Sequence, residues 1–158
     1  MSIGNIEELK TLFRYNPKTG SLINRRTGRK SGGKNKGSRC NQYYLRTLFN
    51  GRKVANHILI WAIQTGKWPE GVIDHIDGNG LNNKWENLRD VPEYINRRNL
   101  PRDPRNTSGV PGVTLVGRRY IVRIASERLG SYPCIFEAAC ARKSAERRQG
   151  YHVNHGRI

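Results

Sequence analysis

"VIDHIDGNGLNNKWENL", residues 72–88, begins apolar and then turns polar. Residues 71–76 have the composition of a β-strand, which places an acid and a histidine, Asp74-His75, at its end. A run of Gly and Asn follows and closes on Asn87-Leu88. One reading is an ordinary Asp-Gly-Asn-Gly turn beside an incidental Asp-His pair. A calcium loop fails on spacing. Counted from Asp74, the third and twelfth positions are Ile76 and Trp85, where such a loop needs Asp/Asn and Glu. A zinc site lacks its cysteines.

A fourth reading is phosphodiester hydrolysis, which requires a divalent cation at the scissile phosphate and a base to activate water. A hard ion takes oxygen ligands, few of them from protein, and Asp74 supplies one. A histidine with a pKa near roughly 6.5 is mostly neutral at pH 7, so His75 is the candidate base. Neighbours on a regular strand point to opposite faces. The pair therefore serves one site only if the strand ends or twists there.

The charge pattern favours this chemistry. The 158 residues carry a formal net charge of +17, which predicts attraction to a polyanion such as nucleic acid. Residues 1–70 hold 14 Lys/Arg against 3 Asp/Glu, residues 71–100 hold 4 against 5, and residues 101–158 hold 11 against 4. One acidic island thus lies between two basic flanks, as expected where flanks hold phosphates and an island holds a metal. Cys40, Cys134 and Cys140 form no CxxC pair, so neither a disulfide framework nor structural zinc is expected. No signal-like run follows Met1, and no segment reaches the roughly 20 apolar residues of a membrane span. A soluble, cytoplasmic protein is the expectation.

Along the chain, residues 5–13 read as a helix with Ile6, Leu9, Leu12 and Phe13 on one face, and 16–20 as a turn before a strand at 21–24. Residues 28–39 lack apolar side chains and read as a mobile loop. Residues 43–49 and 52–56 form a hairpin around Asn50-Gly51. Residues 56–66 read as a helix with Asn56 as N-cap and Gly66 after the last turn. His57 is expected to pack or to bond at that helix start. Residues 89–99 read as a helix with Asp90 and Glu93 at capping-box spacing, and 100–109 as a linker. Residues 112–132 alternate as sheet, with Tyr120, Val122 and Ile124 on one face and Arg119, Ile121 and Arg123 on the other. A helix over 136–150 ends at Gly150.

The residues "IDHIDGN…NNKWENLRDV…YINRRN" resemble the HNH endonuclease family with its ββα-metal finger, and "HxLxWAxxTGxWPxxxIDHxDG" from His57 to Gly78 resembles its phage homing members. The resemblance implies His75 as general base, with Asp74 and Asn96 as metal ligands. It implies that Asn87 pins the loop between two strands so that His75 is aimed. The stretch from Asn106 to Gly150 is similar to the APETALA-type DNA-binding domain, a three-stranded sheet supported by a helix. That similarity implies that Arg118, Arg119 and Arg123 face DNA, where arginine bonds guanine bidentately. Arg97, Arg98, Lys84 and Arg52 complete the expected DNA contacts.

The expected fold is thus α+β, a ββα-metal catalytic unit followed by a small three-stranded antiparallel sheet plus helix module. The expected boundaries are 1–100 for the catalytic domain (metal core about 71–99), 101–107 for a linker and 108–158 for the DNA-binding domain. The expected activity is metal-dependent cleavage of double-stranded DNA to 5′-phosphate and 3′-hydroxyl ends, by a monomer. One divalent ion is expected, Mg²⁺ with Mn²⁺ as a substitute, and no membrane or small-molecule partner. The alternatives are a non-catalytic DNA-binding regulator and a nuclease without site preference.

Overall fold

The computed structural model describes residues 4–37 and 42–157. Helix α1 (Ile6–Leu12) starts at Asn5, whose side-chain oxygen accepts from the Glu7 backbone N–H at 2.9 Å. It stops one residue short of the expected end. Phe13 is extended and opens β1 (Phe13–Asn16), which pairs antiparallel with β2 (Ser21–Asn24). Leu9 and Phe13 are buried, but Leu12, at the end of the last turn, is 43% exposed and leaves the expected face.

A three-stranded antiparallel sheet follows in the order β3 (Gly33–Lys36), β4 (Tyr43–Phe49), β5 (Arg52–Ala55). Asn50 and Gly51 both take positive φ, as the two-residue hairpin turn requires. Residues 33–36 were expected to be loop because they offer nothing to bury. They form an edge strand instead, since the outer backbone groups of β4 need partners and an edge tolerates polar side chains. Residues 38 and 39 of that loop, and Cys40, lie outside the described residues.

Helix α2 (Asn56–Thr65) ends at Gly66, whose φ of 72° and N–H bond to the Ala62 carbonyl close the last turn. Its N-cap is Ala55, not Asn56. Asn56 is 1% exposed, accepts from the Thr47 hydroxyl and donates to the Ser31 carbonyl, both at 2.8 Å. A buried amide with two tertiary partners has no reason to cap.

Strands β6 (Val72–His75) and β7 (Leu88–Val91) pair antiparallel, and a single 3₁₀ turn (Trp85–Asn87) precedes β7. Helix α3 (Glu93–Arg97) is shorter than the expected 89–99. Leu88–Val91 joins the ladder of β6, and Asp90 does not enter a capping box. Its carboxylate accepts from the backbone N–H groups of Glu70 and Gly71 at 2.8 and 2.9 Å. Leu9, Leu22, Phe49, Leu59, Ile60 and Ile73 form the core of this part of the chain.

The chain divides into two compact units, Met1–Glu93 and Tyr94–Ile158. In the second, β8 (Val113–Val116), β9 (Arg119–Ile124) and β10 (Glu127–Tyr132) form an antiparallel sheet in the order β10-β9-β8. Helix α4 (Ile135–Arg148) packs on it, with Val113, Val122 and Ala138 buried between them. Gly150, at φ 68°, lies just beyond the helix. Residues 98–102 are tied to the tail within this unit. The His152 and Gly156 N–H groups donate to the carbonyls of Arg98 and Leu100, and the Arg102 N–H donates to that of Arg157. The architecture is a mixed α+β fold. Among the described residues no helix is long and apolar enough to cross a membrane.

Candidate active site

Strand β6 ends at His75. The Gly78 N–H bonds back to the His75 carbonyl at 2.7 Å, and the Ile76 N–H reaches the Asn87 carbonyl at 2.9 Å. The chain therefore leaves the ladder immediately after the Asp-His pair. Asp74 stands opposite Arg89 in the register and His75 opposite Leu88.

Asp74 and His75 are both 5% exposed. Arg89 donates Nε and Nη2 to the same Asp74 oxygen, Oδ2, at 2.9 and 2.7 Å. The His75 ring lies among His57, 4.8 Å away between centroids and nearly perpendicular, and Tyr44 at 6.0 Å. Its Nε2 meets Oδ1 of Asn83 at 2.9 Å. Burial lowers the His75 pKa, outweighing the Asn83 bond and the Asp77 and Asp74 charges, which all raise it. The ring is accordingly neutral at pH 7. His57 is pushed down to about 3, first by burial and then by His75 and Arg46. Its Nδ1 is buried without a hydrogen-bond partner. His57 thus packs, and it packs against the His75 ring.

Asn87 is 7% exposed and joins the two ends of the loop. Its Oδ1 accepts from the Asp77 N–H at 2.9 Å, and its Nδ2 donates to Asp77 Oδ1 at 2.9 Å and to the Asn82 carbonyl at 2.8 Å. Asp77 also accepts from the Asn79 N–H and the Asn82 amide, both at 2.8 Å. Burial would raise its carboxyl, but these bonds and nearby His75 hold it below the usual range. Asp77 and Asn83 escaped the sequence reading. Asp77 was legible as the acid of an Asp-Gly turn whose side chain caps the following backbone. Nothing marked Asn83 apart from its asparagine neighbours, because its partner is set by how the loop closes.

Asp74, His75 and Asn87 thus lie in one unit. Asn96, half-buried in α3, belongs with Arg97 and Arg98 to the other. Arg97 is exposed, and the Arg98 guanidinium lies over the rings of Tyr94 and Tyr151 at 5.5 and 5.4 Å. Lys84 is exposed 3.9 Å from Glu86, and Arg52 is exposed on β5. Arg118, Arg119 and Arg123 are all exposed. Arg119 is braced across the sheet by bonds to the Ser131 hydroxyl and carbonyl, both at 2.8 Å. Arg123 stands opposite Arg128, an exposed residue that the sequence reading passed over.

Asp74 and Asn96, the expected ligands, belong to different units, and Asp74 is paired with Arg89. Asp and Asn offer only oxygen, and no group of three or more His, Cys, Asp or Glu suited to a metal occurs among the described residues.

Residues 54–98, from β5 through α3, match the family model of the HNH endonuclease, and the chain carries an HNH endonuclease domain over that span. Among curated proteins, Protein 3.8 of Escherichia phage T7 is 42% identical over 59 residues. That alignment covers 37% of this chain and 49% of the phage protein, so the chain spans about half the length of this relative. Among solved structures, one described as DNA binding and cleavage by the HNH homing endonuclease I-HmuI aligns with a TM-score of 0.42 and 26% identity, over 59% of this chain and 53% of that one.

Proposed function

We propose that the chain is a metal-dependent DNA endonuclease of the HNH homing type. The observation that carries this reading is a neutral, buried histidine at the end of β6, beside Asp74, inside the segment matching the HNH model. His75 takes a proton from water. The water oxygen then bonds to phosphorus as the bond to the 3′ oxygen breaks, and that oxygen leaves with the electron pair and is protonated. Asp74 and Asn96 would hold one Mg²⁺ through side-chain oxygens. When bound, the ion stabilises charge on the phosphate and the leaving oxygen. Asn87 keeps the 77–82 loop closed and so aims His75. Arg118, Arg119 and Arg123 grip duplex DNA from the second unit. Arg52, Lys84, Arg97 and Arg98 add phosphate contacts, and the +17 charge supplies long-range attraction.

The ion pair at Asp74 favours a second reading. Arg89 already neutralises the carboxylate expected to hold the ion, which suits a DNA-binding regulator that keeps the HNH fold as scaffold. Supercoiled plasmid incubated with the purified chain, with Mg²⁺ or with EDTA, separates the two. Conversion to nicked or linear DNA only with Mg²⁺ supports the nuclease. Tight binding without cleavage in Mg²⁺ or Mn²⁺ supports the regulator.

A further inference from the structure

The HNH-matching segment begins at residue 54, yet the residue that meets His75 is backed by the β1–β2 hairpin, far upstream. Asn83 is 2% exposed, and its carboxamide oxygen lies 2.9 Å from His75 Nε2. A carboxamide oxygen only accepts, so this contact is a hydrogen bond in the tautomer that carries the hydrogen on Nε2, and in the neutral ring the lone pair then resides on Nδ1. The Asn83 backbone is held in turn. The Tyr15 hydroxyl donates to the Asn83 carbonyl at 3.4 Å and accepts from the Trp85 N–H at 2.8 Å, so it brackets this segment from both sides. Gly20, at φ 66° in the hairpin turn, sits against the same peptide. A Cβ there would lie 2.7 Å from the Lys84 nitrogen and 2.9 Å from the Asn83 carbonyl carbon, and these are backbone atoms that cannot swing aside.

We propose that the β1–β2 hairpin is part of the catalytic apparatus: Tyr15 and Gly20 hold Asn83 so that its side-chain oxygen fixes His75 as the Nε2–H tautomer, presenting Nδ1 as the basic nitrogen. Asn83, Tyr15 and Gly20 are positioning residues. The inference rests on the reading of His75 as the base. Its structural half, the tautomer, stands or falls without any turnover.

The test is long-range proton–nitrogen NMR of histidine-labelled full-length protein in mildly alkaline buffer, with His75 assigned by its absence in His75→Gln. The wild type should show the proton on Nε2. Asn83→Ala should give mixed tautomers, and Tyr15→Phe and Gly20→Ala should move the spectrum the same way. On plasmid, Asn83→Ala should lose at least about tenfold in kcat with little change in KM, as expected when a catalytic group loses its orientation rather than its substrate. A wild-type proton on Nδ1 overturns the proposal, and needs no variant to fold. Tautomers unchanged in both Asn83→Ala and Tyr15→Phe overturn it as well. Absence of cleavage by the wild type would count against the nuclease reading, while the tautomer would still decide this one.

Discussion

His75 and Asp74 are neighbours in sequence with different electrostatic tasks. Burial keeps His75 neutral, the form that can take a proton. His75→Ala should therefore slow cleavage by roughly 10²–10⁴ with DNA affinity nearly unchanged. Single-turnover nicking beside a binding assay checks this, and near-normal nicking would remove His75 from the mechanism. Asp74→Ala should abolish turnover, and it leaves the Arg89 guanidinium without its carboxylate partner. Normal cleavage by Asp74→Ala in ordinary Mg²⁺ would place the ion elsewhere.

Between β6 and β7 the chain spans twelve positions with one 3₁₀ turn and no strand or longer helix. A loop of that length keeps one shape only if its polar groups are satisfied internally, and Asn87 supplies three of those bonds. Asn87→Ala leaves Asp77 and the Asn82 carbonyl short of partners and should cost about 1–3 kcal/mol. Urea unfolding should show the midpoint lowered at unchanged slope. Asn87→Ala with wild-type stability would mean the loop is held from elsewhere. In the second unit the alternation expected for 119–124 gives a buried face with Val122 and Ile124 and an outer face with Arg119 and Arg123. The partners are what the pattern could not name: Ser131 for Arg119, and Arg128 opposite Arg123.

Across the whole molecule, three histidines share one sign of shift. His57, His75 and His155 are all lowered, chiefly by burial, so the folded chain keeps them neutral while the unfolded chain protonates them below roughly pH 6.5. Their contribution is fully present above that pH and is lost as pH falls, for His57 down to about 3. Denaturant midpoints should stay level from pH 8 to about pH 7 and fall from roughly pH 6.5 towards pH 5, and His57→Gln should flatten that fall. A midpoint independent of pH over this range would show that these rings gain solvent or a partner. The proposed DNA binding is the other property argued at this scale. Replacing Arg118, Arg119 and Arg123 together by Ala should reduce the log–log salt slope by about 0.9 for each phosphate no longer neutralised. Target preference should weaken as well, since a base-edge arginine is worth roughly 1–3 kcal/mol. An unchanged slope and preference would move recognition to the first unit.

Local signals were legible from residues alone because their causes are local. Asn50-Gly51 specifies its own turn, Gly66 its own helix end, and alternation over 119–124 its own two faces. The Asp-His pair at the end of a strand was legible for the same reason, as were the HNH resemblance and the two basic flanks. The tertiary structure decided wherever a polar group had more than one use. Asn56 could cap a helix, but it is buried between Thr47 and Ser31. Asp90 could cap α3, but it holds the backbone at Glu70 and Gly71. Residues 33–36 could be loop, but β4 needed an edge partner. Among four asparagines at 79, 82, 83 and 87, only loop closure selects which one meets His75. Buried hydrogen-bonding groups must be satisfied, and partners distant in sequence become available only once the chain has folded.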